Sequence, residues 1–158
     1  MKRRIGAALI LLIVLISMMI PVLAEDSRAW ILCQSYVNLR TEPTKESSKC
    51  GFLDHGDSFT TSGESRNGYL QVLDAGECSC WVHAGYVVDA EPVEVNEYYV
   101  VVAKQQVICR QYVNGPKIKG RRGVMKNGSR VKVYWIAGDW ALTARGYVQS
   151  EWLEVDPD

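Results

Sequence analysis

The stretch GECSCWVHAGY, residues 76–86, holds two cysteines one residue apart and a histidine three positions beyond the second. Such residues can form a metal site, a redox pair, or a thiolate nucleophile with its base. Cys33, Cys50 and Cys109 bring the cysteines to 5. Four thiolates would suit structural zinc, but the cysteine pairs separated by two to four residues that such sites use are missing. On a strand, Cys80 and His83 point to opposite faces, which separates a nucleophile from its base. His55 and His83 read instead as a turn residue and a surface or edge residue. The carboxylate pairs Asp54 with Asp57 and Glu91 with Glu94 flank turns without EF-hand spacing. No catalytic residue, metal or cofactor is expected.

Cysteine chemistry depends on compartment. Lys2, Arg3 and Arg4 precede an uncharged apolar run from Ile5 to Ala24, the outline of an export signal. Pro21 would end a helix, and Val22 and Ala24 place small residues before Glu25, which favours cleavage after Ala24. A run of about twenty residues is also long enough to span a bilayer, so a retained anchor is the alternative, and only then does the chain meet the membrane. Either way the rest lies outside the cytoplasm, secreted or anchored facing outward. The first cysteine is Cys33, which leaves no lipidation site at the cleavage point.

Outside the cytoplasm disulfides are the default for a small domain. Cys78 and Cys80, on one extended strand, lie about 6.6 Å apart, near the limit for a bridge. Cys33 and Cys50 are therefore expected to bond to Cys78 and Cys80, in one of two pairings. Cys109 remains as a small buried apolar residue or, being unpaired, as an intermolecular or redox-sensitive thiol.

Gly, Asn, Asp and Ser punctuate the chain every eight to twelve residues, and short runs rich in Val, Tyr, Trp, Ile and Thr lie between them. This is an all-β pattern. Internal similarity is ordered: YVNLR (36–40) with QVICR (106–110), HGDSF (55–59) with NGSRV (127–131), NGYLQV (67–72) with GDWALT (138–143), and CWVHAGYV (80–87) with GYVQSEWL (146–153) without a gap. Two units follow, 28–90 and 98–155, with 91–97 as an exposed linker. Core residues should be Leu39, Leu53, Phe59, Leu70, Val72 and Val82 in the first, and Cys109, Val124, Val131, Val133, Trp140 and Val148 in the second.

The first unit opens with Val37, Asn38, Leu39 and Arg40 with a proline soon after, then has Gly51, Leu53 and Gly56, Gly68 with an aromatic, Trp81 and Val82, and a closing aromatic near Tyr86. In this order of marks it resembles the bacterial SH3 domain. The second keeps Arg110, Pro116, Gly128, Trp140, Gly146, Tyr147 and Trp152, but has Ile108 where the usual residue is Asn. The resemblance implies two tandem SH3-like barrels after the signal peptide, and a non-catalytic protein binding cell-wall glycopeptide or an anionic envelope polymer. The alternative it implies is a protein partner, the chain bridging an envelope enzyme or secretion component.

Exposed aromatics are the expected contact set: Tyr36, Tyr69 and Tyr86, and Tyr112, Trp135 and Trp152. Charge is divided along the chain. Residues 25–97 carry 5 basic against 13 acidic side chains, and residues 98–158 carry 10 against 5. Four of the cations, Lys117, Lys119, Arg121 and Arg122, fall within KIKGRRG, a glycine-bearing loop able to present charge to a polyanion. An extracytoplasmic location argues against nucleic acid. The same loop would also suit docking onto the acidic first unit.

Overall fold

The computed structural model describes residues 26–76 and 79–157. The expected signal segment and Cys78 lie outside the described residues. The described chain is all-β, with three short 3-10 turns.

Strands between residues 27 and 88 pair only with one another. β1 (Ser27–Ile31) lies between β4 (Ser58–Thr61) and β8 (Val87–Val88). A second, five-stranded sheet runs β3 (Lys49–Asp54), β2 (Tyr36–Arg40), β7 (Cys80–His83), β6 (Tyr69–Val72), β5 (Ser65–Arg66). Period-two alternation turns Ala29 and Ile31 of one sheet toward Val37 and Leu39 of the other, and Phe59, Val72 and Val82 complete this core. The hairpin joining β5 to β6 turns on Asn67 and Gly68, at φ 51° and 78°, the positive pair a two-residue turn needs.

The pattern recurs downstream. β9 (Val93–Val101), β12 (Arg130–Ala137), β13 (Trp140–Thr143), β14 (Gly146–Gln149) and β15 (Leu153–Val155) form a sheet in the order β14-β13-β12-β9-β15. β10 (Val107–Ile108) and β11 (Val124–Met125) form a small one. Val101, Val107, Cys109, Met125, Val131, Val133 and Val148 are their common core. The gapless alignment of 80–87 with 146–153 has a structural counterpart. Arg40 bridges Trp81, and Arg110 bridges Tyr147. Each arginine also donates Nη1 to a carbonyl of its following loop, Arg40 to Ser47 and Arg110 to Gly115, both at 2.7 Å. A 3-10 turn follows in both halves, Ala84–Tyr86 and Ser150–Trp152, and leads into a strand laid on the half's first strand. The sheets are open, and each half packs a large sheet against a small one.

Three expectations need correction. Residues 93–97 are the first half of β9, not a linker, with Val93 opposite Ile136 and Glu97 opposite Val133. Their outer positions are exposed and Asn96 interrupts the alternation at φ 48°, beside a register shift in β12, so the segment carries linker chemistry in strand geometry. Leu53, Leu70 and Val124 are half-buried rather than core: Leu53 lies on the outer strand β3 and Val124 in the two-stranded sheet, while Leu70, paired on both sides in β6, packs against the first core only in part. Trp140 is buried, but in a third cluster that belongs to both halves.

That cluster joins the halves. Leu32 and Val88 from the first half meet Val113, Ala137, Trp140, Leu142 and Tyr147 from the second. Tyr147 donates its hydroxyl to the Leu32 carbonyl at 2.9 Å, and burial pushes its phenol pKa far up, so it stays a donor. The Val113 amide donates to the Gly85 carbonyl at 2.8 Å. Tyr112 fits a slot between Gly85 and Gly115: a Cβ on Gly85 would come within 2.2 Å of its ring and one on Gly115 within 2.5 Å.

Both histidines belong to this junction. His55 lies 4.1 Å from the Trp135 ring, centroid to centroid, and His83 4.9 Å from Tyr112. Each imidazole accepts a backbone amide on Nδ1, His55 from Cys33 at 3.2 Å and His83 from Gly85 at 3.1 Å. Burial lowers both pKa values, opposed at His55 by the Glu94 charge. The unfolded chain therefore takes up protons first, starting near the ordinary value of about 6.5. The histidines' contribution to stability is complete above that pH and is lost as pH falls through the lower folded values. We expect the thermal midpoint to fall between about pH 7.5 and pH 5. His55→Asn with His83→Asn, which keeps an acceptor without titrating, should flatten that profile in thermal unfolding followed by circular dichroism.

Candidate functional site

The structure separates the expected aromatic contacts. Tyr69 is buried and packs edge-on to His83 at 5.3 Å, so it is not a ligand contact. Tyr86, Tyr112 and Trp135 are half-buried in the junction, where Tyr86 and Tyr112 lie 5.9 Å apart. Two small halves docking through one apolar face consume aromatics that in isolation would reach solvent. Tyr36 and Trp152 remain open, at 56% and 36% exposure.

Of the expected bonds the structure forms one and leaves Cys33 out. Cys50 and Cys80 are bonded, over a sequence separation of 30. The register of β2 against β3 jumps from Leu39 opposite Gly51 to Arg40 opposite Lys49, so Cys50 is the extra residue of a β-bulge. At the bulge the Cys50 and Cys80 Cα atoms lie 6.8 Å apart. Cys33 is not bridged. It is free, buried in the first core just past β1, and burial raises its thiol pKa, aided by Asp54 and Asp57. It fills the core as a small apolar residue, as does Cys109, whose thiol is also raised by burial. The bond to Cys50 removes Cys80 as a thiolate.

The basic loop lies on the surface with Lys117, Lys119, Arg121 and Arg122 all exposed. It is pinned from beneath. Arg145 donates Nη2 to the Arg121 and Val124 carbonyls at 2.6 and 3.1 Å, the Ile118 amide donates to the Cys109 carbonyl, and the Cys109 amide donates to the Gly123 carbonyl across the loop. Gly123 permits this closure, since a Cβ there would overlap the Ile118 carbonyl oxygen at 1.7 Å. Among the described residues none of the four cations pairs with a carboxylate, so the loop does not dock onto the acidic half through ion pairs. Arg145 was not singled out from sequence; only its charge next to the repeat-aligned Gly146 pointed to it.

The best-formed concavity is an open groove of about 890 Å³ in the second half. Val102, Ile108 and Trp152, at 43%, 43% and 36% exposure, give it apolar sides, and Trp140 also lines it. Its shape is held by backbone: the Val102 amide donates to the Trp152 carbonyl at 2.9 Å, and the Ala103 amide to Asn127 Oδ1 at 3.0 Å. Lys104, the Gln105, Gln106 and Gln149 amides and Asn127 supply polar groups, and no carboxylate is among the lining residues. Sequence reasoning found Trp152 and missed the rest. The available signal was Ile108, an isoleucine facing out where the first repeat has Asn38. Among the described residues no group of three or more His, Cys, Asp or Glu side chains is placed to hold a metal ion.

No family model and no curated protein matches the chain. Among solved structures, NlpC1 from Trichomonas vaginalis aligns with 83% of this chain and 46% of its own, at 13% identity and TM-score 0.34. NlpC2 from the same organism aligns with 84% and 49%, at 12% identity and TM-score 0.35. The chain spans about half the length of these two proteins, and likeness at that level carries no functional argument.

Proposed function

We propose that this is an exported, non-catalytic protein of two SH3-like repeats that binds cell-wall glycopeptide in the groove of its second repeat. The observation that carries the reading is the groove itself: exposed Trp152 and Ile108 beside a lysine and a row of side-chain amides, with no carboxylate in the lining. A sugar ring offers an apolar face to stack on tryptophan, its N-acetyl groups match glutamine and asparagine amides, and a stem-peptide carboxylate matches Lys104. The four unpaired cations of the adjacent repeat loop favour the same anionic surroundings. The bacterial SH3 resemblance supports it further, since the paired arginines and closing turns recur in both halves.

Cosedimentation with purified, protein-free peptidoglycan tests the reading. Trp152→Ala and Ile108→Asn should each weaken retention roughly tenfold or more, the loss expected of an aromatic or aliphatic anchor. Thermal unfolding of each variant, read beside retention, separates a lost contact from a lost fold. Retention unaffected by both substitutions would remove the groove from the account. A second reading, a protein partner, is favoured by one feature of the first repeat: Tyr36 and Phe52, 56% and 62% exposed, stack edge-on at 5.9 Å on the solvent side of β2 and β3. Binding that disappears when proteins are stripped from the wall would select it.

A further inference from the structure

A second cleft, of about 460 Å³, opens where the two halves meet. Arg110, Arg122 and Arg145 line it from the second half and Gln34, Ser35 and Tyr36 from the first, with no Asp or Glu among the lining residues. Arg110 and Arg145 are half-buried, and among the described residues none of the three arginines pairs with a carboxylate. A half-buried guanidinium without a counter-ion carries a desolvation cost that an anion would offset. The arginines are also held in place. Arg110 gives Nη1 to the Gly115 carbonyl and Arg145 gives Nη2 to two loop carbonyls. A guanidinium has five N–H donors, so each retains others for a ligand.

We infer that this cleft is a phosphate-binding site that takes an oxyanion between the two repeats. Three arginines in a lining otherwise supplied with neutral amide and hydroxyl residues suit a tetrahedral, multiply charged phosphate group better than a planar, singly charged carboxylate. Because one wall comes from each half, a bound phosphate also ties the halves together. The inference does not depend on the glycopeptide groove: Arg110 lines both concavities, but Arg122, Gln34 and Ser35 line only this one.

The test is a titration of inorganic phosphate into the full chain at constant ionic strength, following the Gln34 and Ser35 amide and arginine Nε–H resonances. Saturable shifts are expected. Arg122→Gln should weaken binding roughly tenfold, the loss of one charge-assisted contact. Gln34→Glu, which supplies a built-in carboxylate from the opposite wall, should weaken it at least as much. Lys119→Gln, in the same loop but outside the cleft, should leave it unchanged, and acetate should bind more weakly than phosphate. Arg122, Gln34 and Lys119 are exposed, so the variants keep the fold. Shifts that rise linearly without saturating, equal losses from Arg122→Gln and Lys119→Gln, or acetate binding as tightly as phosphate would each overturn the inference. The groove variant Trp152→Ala should bind phosphate normally, so failure of one site is distinguishable from failure of the other.

Discussion

Removing the Cys50–Cys80 bond by the pair Cys50→Ser and Cys80→Ala is expected to lower stability by about 3 to 4 kcal/mol, the chain-entropy value for a loop of this length. The bond spans 30 residues of sequence. For a chain of this size that corresponds to a fall in melting temperature on the order of 10 °C. The location argues for the full effect. β3 is an outer strand of its sheet, paired only to β2 and exposed along most of its length, so few apolar contacts retain it. Without the bridge, β3 depends on its ladder to β2 alone. Thermal unfolding of the wild type with and without reductant gives the check, since reduced wild type and the oxidised double variant should melt together. Alanine at 80 is chosen because that position is 1% exposed and tolerates no added polar group.

Leu32→Ala should cost about 2 to 5 kcal/mol, as deletion of a fully buried leucine side chain does. Leu32 is 0% exposed and sits in the cluster shared by both halves, with its carbonyl accepting the Tyr147 hydroxyl. The loss should therefore be felt in the second half as well. The wild type is expected to unfold in one transition, and Leu32→Ala to separate the tryptophan fluorescence change, dominated by Trp135 and Trp140 at the junction, from the far-ultraviolet change. Tyr147→Phe isolates the hydrogen bond and should cost about 1 to 2 kcal/mol, the penalty for an orphaned buried carbonyl. A single unshifted transition in Leu32→Ala would remove Leu32 from the contacts that stabilise the junction.

Much of this architecture was legible because it rests on local chemistry repeated twice. Short alternating runs between turn residues indicate strands, and the ordered matches place Arg40 with Arg110 and Trp81 with Tyr147, pairs that occupy equivalent bridges. What did not show was how the two halves use their surfaces. Tyr86, Tyr112 and Trp135 have the composition of a binding face, and only docking decides that they meet each other instead of a ligand. Cys33 could not be separated from Cys50 by residue type, since the choice depends on a bulge that turns Cys50 toward Cys80. The segment 93–97 was hidden by its own exposure, because a strand with few buried side chains has no apolar period to detect. The groove escaped notice because its sides come from a loop, a turn and one outward-facing isoleucine far apart in sequence.

The junction gives the uneven charge of the two halves a physical meaning it would lack in a flexible pair. With β9 counted in the second half, residues 25–92 carry 11 acidic against 5 basic side chains and are held against residues 93–158, which carry 10 basic against 7 acidic. Among the described residues the contact between them is apolar and hydrogen-bonded, and none of the Lys45–Glu46, Arg66–Glu64 and Arg130–Asp156 ion pairs crosses it. The protein is therefore a permanent electric dipole, and near a polyanionic surface it experiences a torque before any contact forms. Rotation there brings the second half, whose surface carries the basic loop, forward and turns the acidic half away.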